Sequence, residues 1–310
     1  MAVAVAEKTP TPANAETPAY SRRRFLLVSA AATAGAFVVR SAPGGAPSNG
    51  GGSPPPGTDL VVQTTPSQYF VDRGTGSVEM KWGPVREFGD TVPNDRLYIH
   101  NRARPPAIDR RTWRLHLTGD AITRPRSFTY EDLLALPAVT LRRTIDCGAN
   151  CSAFFPKLPP SGASDQWLPV GFTQWHFGAV GAAEWTGVRA KDVFAAAGAD
   201  HPVDVKFTGL DVISSPSFSN GKGNYSEVIP ADTVLRDDTL LVYRMNGSDL
   251  PIDHGYPLRL LISGWGGNIQ VKWLGEIQAS KQPIPVTGPA KNQVLTGPAY
   301  TNQVRPTVGR

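Results

Sequence analysis

Cysteine is almost missing from this chain, with Cys147 and Cys151 the only 2 among 310 residues. That scarcity excludes a small fold stapled by several disulfides, and a four-cysteine zinc site as well. No Cys-x-x-Cys-His motif occurs, so there is no covalent c-type haem. Apolar runs long enough to span a bilayer are also lacking. The stretch over residues 25–39, interrupted by Ser29 and Thr33, falls short of the ~20 residues that a spanning helix needs. No internal repeat is visible. Nor is the net charge of +5 spread as a nucleic-acid face: the first 45 residues hold five basic side chains against Glu7 and Glu16, a local +3 that leaves +2 for the rest. What is present is 40% hydrophobic and 18% charged residues, enough apolar material for a core and too much for wholesale disorder. The 31 glycines and 29 prolines favour a turn-rich, strand-rich body over a helix bundle. The length suits one large or two modest domains.

Ser21-Arg22-Arg23-Arg24-Phe25-Leu26 runs straight into the apolar stretch, a charged n-region followed by an h-region. The paired arginines resemble the twin-arginine export signal of bacteria. That resemblance implies the export machinery as a partner and a place beyond the cytoplasmic membrane, in the periplasm, the cell envelope or outside the cell. An ordinary secretory signal and a retained N-terminal anchor are the other readings. Residues 41–57 contain eleven Gly or Pro and no charge, the composition of a flexible tether. The expected organisation is therefore an export segment over 1–45, a Gly/Pro-rich tether and lead-in over 46–91, a folded domain over 92–280 and a short tail over 281–310.

Within the folded region, residues 113–117 alternate like a half-buried strand and stop at Gly119. Thr129 stands where a cap belongs, with Asp132 three residues on and Pro137 beyond, so a short helix follows it. Residues 139–147 return to strand character. A second amphipathic helix is expected over 185–198, with Val188, Val193 and Phe194 on one face and Gly198 as terminator. Further strands are expected over 203–210, 239–245, 256–262 and 269–277, with Asn246-Gly247 a turn between two of them. Few helices and many strands make the class α+β with a mixed β-sheet.

The two cysteines stand three residues apart in Asp146-Cys-Gly-Ala-Asn-Cys151. Two readings are open: a disulfide, the default outside the cytosol, or a single thiolate ligand to a soft metal. Thr144-Ile-Asp-Cys-Gly-Ala-Asn, Leu97-Tyr-Ile-His-Asn-Arg, Phe177-Gly-Ala-Val ahead of Trp185-Thr-Gly-Val-Arg, and the run from Leu240-Leu-Val-Tyr-Arg-Met-Asn-Gly through Leu250-Pro-Ile-Asp-His-Gly-Tyr-Pro-Leu-Arg-Leu to Val271-Lys-Trp-Leu agree in order and spacing with one family. Over residues 92–280 the chain closely resembles the molybdopterin domain of the sulfite oxidase family.

The resemblance implies a molybdopterin-dependent oxidoreductase of mixed-sheet fold carrying a molybdenum–molybdopterin cofactor. Cys147 matches the family's protein ligand to the metal. His254, Arg259, Gln270, Val271 and Lys272, Asp211 of Thr-Gly-Leu-Asp, and the stretch Tyr98, Ile99, His100, Asn101, Arg102 match its cofactor-binding positions. An arginine fork and a lysine point charge suit the pterin phosphate. Tyr225 matches the active-site tyrosine, and His100 takes a catalytic position. Each has a plainer reading: Arg259 as the solvent side of a strand, His254 as a turn histidine held by backbone, Lys272 packed along Trp273, Tyr225 as an ordinary aromatic.

The departures bear on substrate. Sulfite-oxidising members carry Tyr-Val-Arg-Asn-His, where this chain has Tyr98-Ile-His-Asn-Arg102. They follow the metal cysteine with Gly-Asn-Arg-Arg, where this chain continues Gly148-Ala-Asn-Cys-Ser-Ala-Phe154. Two guanidiniums for a sulfur oxyanion are missing from their expected places, His100 is charged only when protonated, and Phe154 and Phe155 suggest a more apolar approach. Arg102 or Lys222 is the candidate compensation. The expected reaction is oxidation of sulfite to sulfate, with reduction of an S-oxide by the same fold as the alternative, and a metal-free exported binding protein with Cys147 bridged to Cys151 as a third. Residues after 280 are too few for the family's immunoglobulin-like dimerisation domain, and no haem domain precedes the core. Electrons are thus expected to pass to a separate carrier such as a cytochrome.

Overall fold

A computed structural model describes residues 60–74, 76–154, 174–214 and 222–285. These lie in the second of the two units, Met1–Gly51 and Gly52–Arg310, into which the chain divides. The export segment, most of the tether, Phe155, the end of the tail and the Lys222 side chain lie outside the described residues.

In chain order the strands are β1 (Phe70–Gly74), β2 (Ser77–Met80), β3 (Ile99–His100), β4 (Leu115–Thr118), β5 (Arg126–Phe128), β6 (Ala138–Asp146), β7 (Val180–Arg189), β8 (Asp204–Ser214), β9 (Lys222–Pro230), β10 (Thr239–Met245), β11 (Ser248–Asp249), β12 (Arg259–Ile262) and β13 (Leu274–Ser280). The helices are short: α1 (Trp82–Val85), α2 (Tyr130–Leu134), α3 (Ala190–Ala196) and α4 (Ala231–Val234). Among the described residues no helix is long and apolar enough to cross a membrane. Three sheets form, in the orders β1-β2-β3, β11-β10-β7-β6 with β12 also on β10, and β5-β4-β13-β8-β9. The β4–β13 pair is parallel and its neighbours are antiparallel, so the mixed α+β class is as expected.

At β10 and β12 the middle sheet is buried on both faces. Along β10, Leu241 and Tyr243 enter one hydrophobic core, while Leu240, Val242 and Met245 enter the other. This explains why Leu240-Leu-Val-Tyr and Leu260-Leu-Ile are continuous apolar runs instead of alternating ones. The first core lies among β4, β8, β9, β13, α2 and α3; the second gathers β1, β2, β3, Trp175, Trp185 and Cys147.

Local signals account for several boundaries. Thr129 accepts from the Asp132 amide at 3.0 Å while Asp132 accepts from the Thr129 amide at 2.8 Å, a reciprocal capping box. Asn246 and Gly247 take φ of 49° and 78°, the left-handed pair that a two-residue hairpin turn demands.

Two expectations need correction. Residues 185–189 are the end of strand β7, and the helix is confined to Ala190–Ala196. The register decides it: β7 buries every second residue and pairs along its length with β6 and along Trp185–Arg189 with β10, so ladder bonds on both edges outweigh the helical spacing of Val188 and Val193. Residues 269–277 are likewise not one strand. Gly267–Ile269 is a 3₁₀ turn, and β13 begins only at Leu274, after Trp273 at φ 47° has turned the chain. Residues 60–91, expected as a lead-in, carry β1, β2 and α1.

Candidate functional site

Strand β6 ends at Asp146 and delivers Cys147 into a turn, with the Cys147 amide bonded to the Ala179 carbonyl at 2.9 Å and the Asn150 amide to the Cys147 carbonyl at 2.8 Å. The thiol is buried, and that burial pushes it up to about 11. Cys151 follows at φ 70°, its amide on the His176 carbonyl at 2.6 Å. Both thiols are free, so the disulfide expected of an exported protein, and needed by the metal-free reading, is not formed.

The turn Gly266–Asn268 lies against this segment. A Cβ on Gly267 would sit 2.7 Å from the Tyr98 hydroxyl and 3.1 Å from the Asp146 carbonyl, so close approach favours glycine there. A Cβ on Gly266 would be in ordinary contact with Gly148 Cα, at 3.7 Å.

Below it stands a cluster of cationic side chains. Arg259, on β12, is not on a solvent face: it is 4% exposed, its Nη1 donates to the His254 carbonyl at 3.0 Å, and its guanidinium lies 5.1 Å from the Trp185 ring centre. Burial lowers it to about 10. His254, buried in the 3₁₀ turn Ile252–His254, is bonded to the Asn94 backbone, as the turn-histidine reading has it, yet its Nε2 has no partner. Burial, Lys272 and Arg259 push His254 well below the ordinary histidine range. Lys272 has its ammonium over the Trp273 ring and donates to the carbonyls of His100 at 3.0 Å and Asp253 at 2.8 Å, and to the Asn101 side chain. Burial and Arg259 lower it to about 7.

Asn101 is fully buried and donates to the Leu60 carbonyl at 2.7 Å and to Asp253 at 2.8 Å. Asp253, which the sequence reading did not single out, also accepts from the Val62 and Gln63 amides. Asn101, Lys272 and Asp253 therefore lock the end of β3 to the His254 turn. Ile99 and Val271, each 1% exposed, are core side chains, so either one meets a ligand only through backbone. Gln270 donates to the Trp265 carbonyl at 3.0 Å while its Oε1 has no partner. Asp211 comes from an irregular stretch of β8, where the pairing jumps from Thr208↔Ser226 to Val212↔Asn224, a bulge of the kind that re-aims side chains. It is buried with Oδ1 unpartnered, and burial raises it to about 6.

His100, bonded through Nδ1 to the Ser77 hydroxyl at 2.8 Å, is lowered to about 3 by burial, Arg102 and Lys272. It is neutral at ordinary pH. Arg102 is exposed, and its charge acts on Cys147, His100 and Glu227. Tyr225, on β9, places its hydroxyl 2.5 Å from both Glu227 Oε1 and the Asn268 carbonyl. Glu227 escaped the sequence reading, although its i, i+2 spacing from Tyr225 puts both on one face of a strand.

This mixed-sheet fold carries a buried cysteine and, among the described residues, the buried side chains of Arg259, Lys272 and His254. The chain belongs to the oxidoreductase molybdopterin binding domain family, whose sequence model matches residues 102–287. It is 32% identical over 199 residues to the mitochondrial sulfite oxidase of Mus musculus, covering 63% of this chain and 34% of that protein. The human enzyme gives 32% over 197 residues, 62% and 33%. The NADH nitrate reductase of Ulva prolifera gives 29% over 199 residues, 63% and 22%. The chain thus spans about a third of the length of these sulfite oxidases. In fold it is similar to the sulfane dehydrogenase SoxCD of Paracoccus pantotrophus, with TM-score 0.51 and 24% identity over 66% of this chain and 47% of that one.

The family implies a molybdenum–molybdopterin cofactor, and the residues present fit it. Arg259 has no carboxylate partner among the described residues. Buried charge without a counter-charge is costly, and an anionic phosphate supplies one. The unpartnered polar atoms of His254, Arg259, Asp211 and Gln270 are the hydrogen-bonding complement of a polar ring system.

Proposed function

We propose that this chain is the cofactor-bearing unit of an exported enzyme that oxidises sulfite to sulfate, consuming one water and releasing two protons and two electrons to a separate carrier such as a cytochrome. When bound, the molybdenum centre supplies two-electron redox chemistry coupled to transfer of one oxygen atom. Cys147 is the protein's ligand to the metal; its thiol gives up a proton to do so, because a bound cation stabilises the thiolate that burial alone disfavours. Arg259, Lys272 and His254 hold the phosphate and ring, with Asp211, Gln270 and the backbone of residues 98–102 and 271 completing the cradle. Arg102 supplies the positive charge for the substrate anion, and Tyr225 lines the same space.

The observation that carries this reading is the position of Arg102, whose charge acts on Cys147, His100 and Glu227 together. Arg102 is in this reading the compensation for a guanidinium missing from the expected motif position. A second reading, reduction of a neutral S-oxide, is favoured by the neutral His100 and by the exposed Phe154, which stacks on Phe177 at 4.4 Å. Export by the twin-arginine route, which carries folded, cofactor-loaded proteins, rests on Arg22-Arg23-Arg24 and the apolar run after it.

The test is metal and pterin analysis of protein purified from the exported fraction, followed by two assays. Roughly stoichiometric molybdenum with sulfite-dependent reduction of an artificial acceptor supports the proposal. S-oxide-dependent oxidation of a reduced dye selects the second reading, and absence of molybdenum overturns both. Cys147→Ser should remain folded without turnover; retained turnover refutes the ligand assignment.

A further inference from the structure

Glu227 is fully buried on β9, yet no ion pair holds it among the described residues. Its Oε1 lies 2.5 Å from the Tyr225 hydroxyl, which is equally close to the Asn268 carbonyl oxygen. A carbonyl can only accept and a phenol has one proton to give. Directed at Asn268, that proton leaves the short contact with Glu227 to be bridged by a proton of the carboxyl group. The other carboxyl oxygen, Oε2, is buried without a partner, a position that a carbonyl oxygen tolerates far better than half of a carboxylate.

We propose that Glu227 is a specificity-determining residue that works as a neutral acid: it donates to Tyr225, turns the tyrosine's own proton onto Asn268, and adds no negative charge beside Arg102 where an anionic sulfur substrate binds. The surroundings agree. Burial raises the carboxyl to about 8 against smaller lowering effects from Tyr225 and then Arg102. Among the described residues those two are the titratable or charged groups that act on it. Across the ladder it faces Phe207, the Gly267–Ile269 turn carries no ionisable side chain, and Asp232 on α4 is exposed. The consequence reaches the cofactor segment, because Asn268 belongs to the turn packed against Tyr98 and Gly148. Above about pH 8 the carboxyl loses its proton, the Tyr225 hydroxyl is drawn to the carboxylate, Asn268 is released, and a negative charge opposes the substrate's own.

This substrate role rests on the function proposed above; the protonation state does not, so the two fail separately. Infrared titration of the full-length protein, taken as the difference between wild type and Glu227→Gln, should show a protonated carboxyl band at pH 6.5 that disappears with a midpoint near 8. Tyr225→Phe and Arg102→Met should each move the midpoint upward, since each removes an influence that favours the ionised form. In steady-state assays with sulfite, KM of wild type should rise several-fold relative to Glu227→Gln between about pH 7 and 9, with kcat following less steeply. Comparison at equal pH removes the titration of sulfite itself. No protonated band at pH 6.5, or a midpoint indifferent to Tyr225→Phe, overturns the proposal whatever the molybdenum content. A normal band with parallel KM curves overturns the substrate role alone.

Discussion

Arg259 offers a sharp distinction between a side chain that holds the fold together and one held ready for a ligand. Replacing one partner of a buried ion pair ordinarily costs about 3–5 kcal/mol. Here the numbers oppose each other. The fall from 12.5 to about 10 means that burial disfavours the charged form by on the order of 3 kcal/mol. Against that stand one charge-assisted hydrogen bond to the His254 carbonyl, about 1.5–3 kcal/mol, and the Trp185 contact, up to about 2 kcal/mol. Arg259→Met keeps the stem and removes the charge, so cofactor-free protein should change in stability by no more than about 1–2 kcal/mol. The same variant should retain much less molybdenum and pterin after purification, because the phosphate loses its fork. Urea denaturation of protein from a pterin-deficient host, beside metal analysis of protein from a competent one, reads both. A loss above about 3 kcal/mol without cofactor, or full cofactor retention, would refute the reasoning.

Asp253→Ala should behave in the opposite way. Three donors, the part-buried amides of Val62 and Gln63 and the buried side chain of Asn101, lose their acceptor at once, and a destabilisation of about 2–4 kcal/mol is expected in the same denaturation assay. Asp211→Asn should depend on pH. Because burial raises the folded carboxyl from 3.8 to about 6, the native state binds the extra proton between those values and loses stability as pH rises through them. The variant should therefore match wild type near pH 4 and exceed it above pH 6 by up to about 3 kcal/mol; a gain that is the same at both pH values contradicts the assignment.

The elements legible from the amino-acid sequence were those with a local signature: the Thr129 box, the Asn246-Gly247 turn, the alternation around residues 115–117. The strand β7 was misread because Val188 lies near the end of one element and Val193 belongs to the next, and only the pairing with β6 and β10 separates them. Arg259 shows the limit more clearly. Between two leucines it has the alternation of a half-exposed strand, but β12 itself is buried on both faces, and that coverage depends on where β1–β3 and Trp175 pack. Glu227 carried no motif. Its meaning arises from Asn268, forty-one residues later in the chain, reaching the same hydroxyl through the fold.

The exchange of His100 and Arg102 relative to the resembled motif then takes on a geometric sense. Strand β3 ends at His100 and the chain bends at Arg102, so exchanging the two residues relocates a positive charge without deleting it. The inner position, beside Ser77, Trp175 and Lys272, is the one where desolvation and a neighbouring ammonium penalise a cation, and histidine answers by staying neutral. The outer position is exposed, where a guanidinium keeps its charge and its field reaches Cys147 and Glu227. Returning the pair to the resembled order would drive an arginine against Lys272 and leave a histidine, charged only in acid, to meet the substrate. His100→Arg with Arg102→His is therefore expected to lose stability and substrate affinity together.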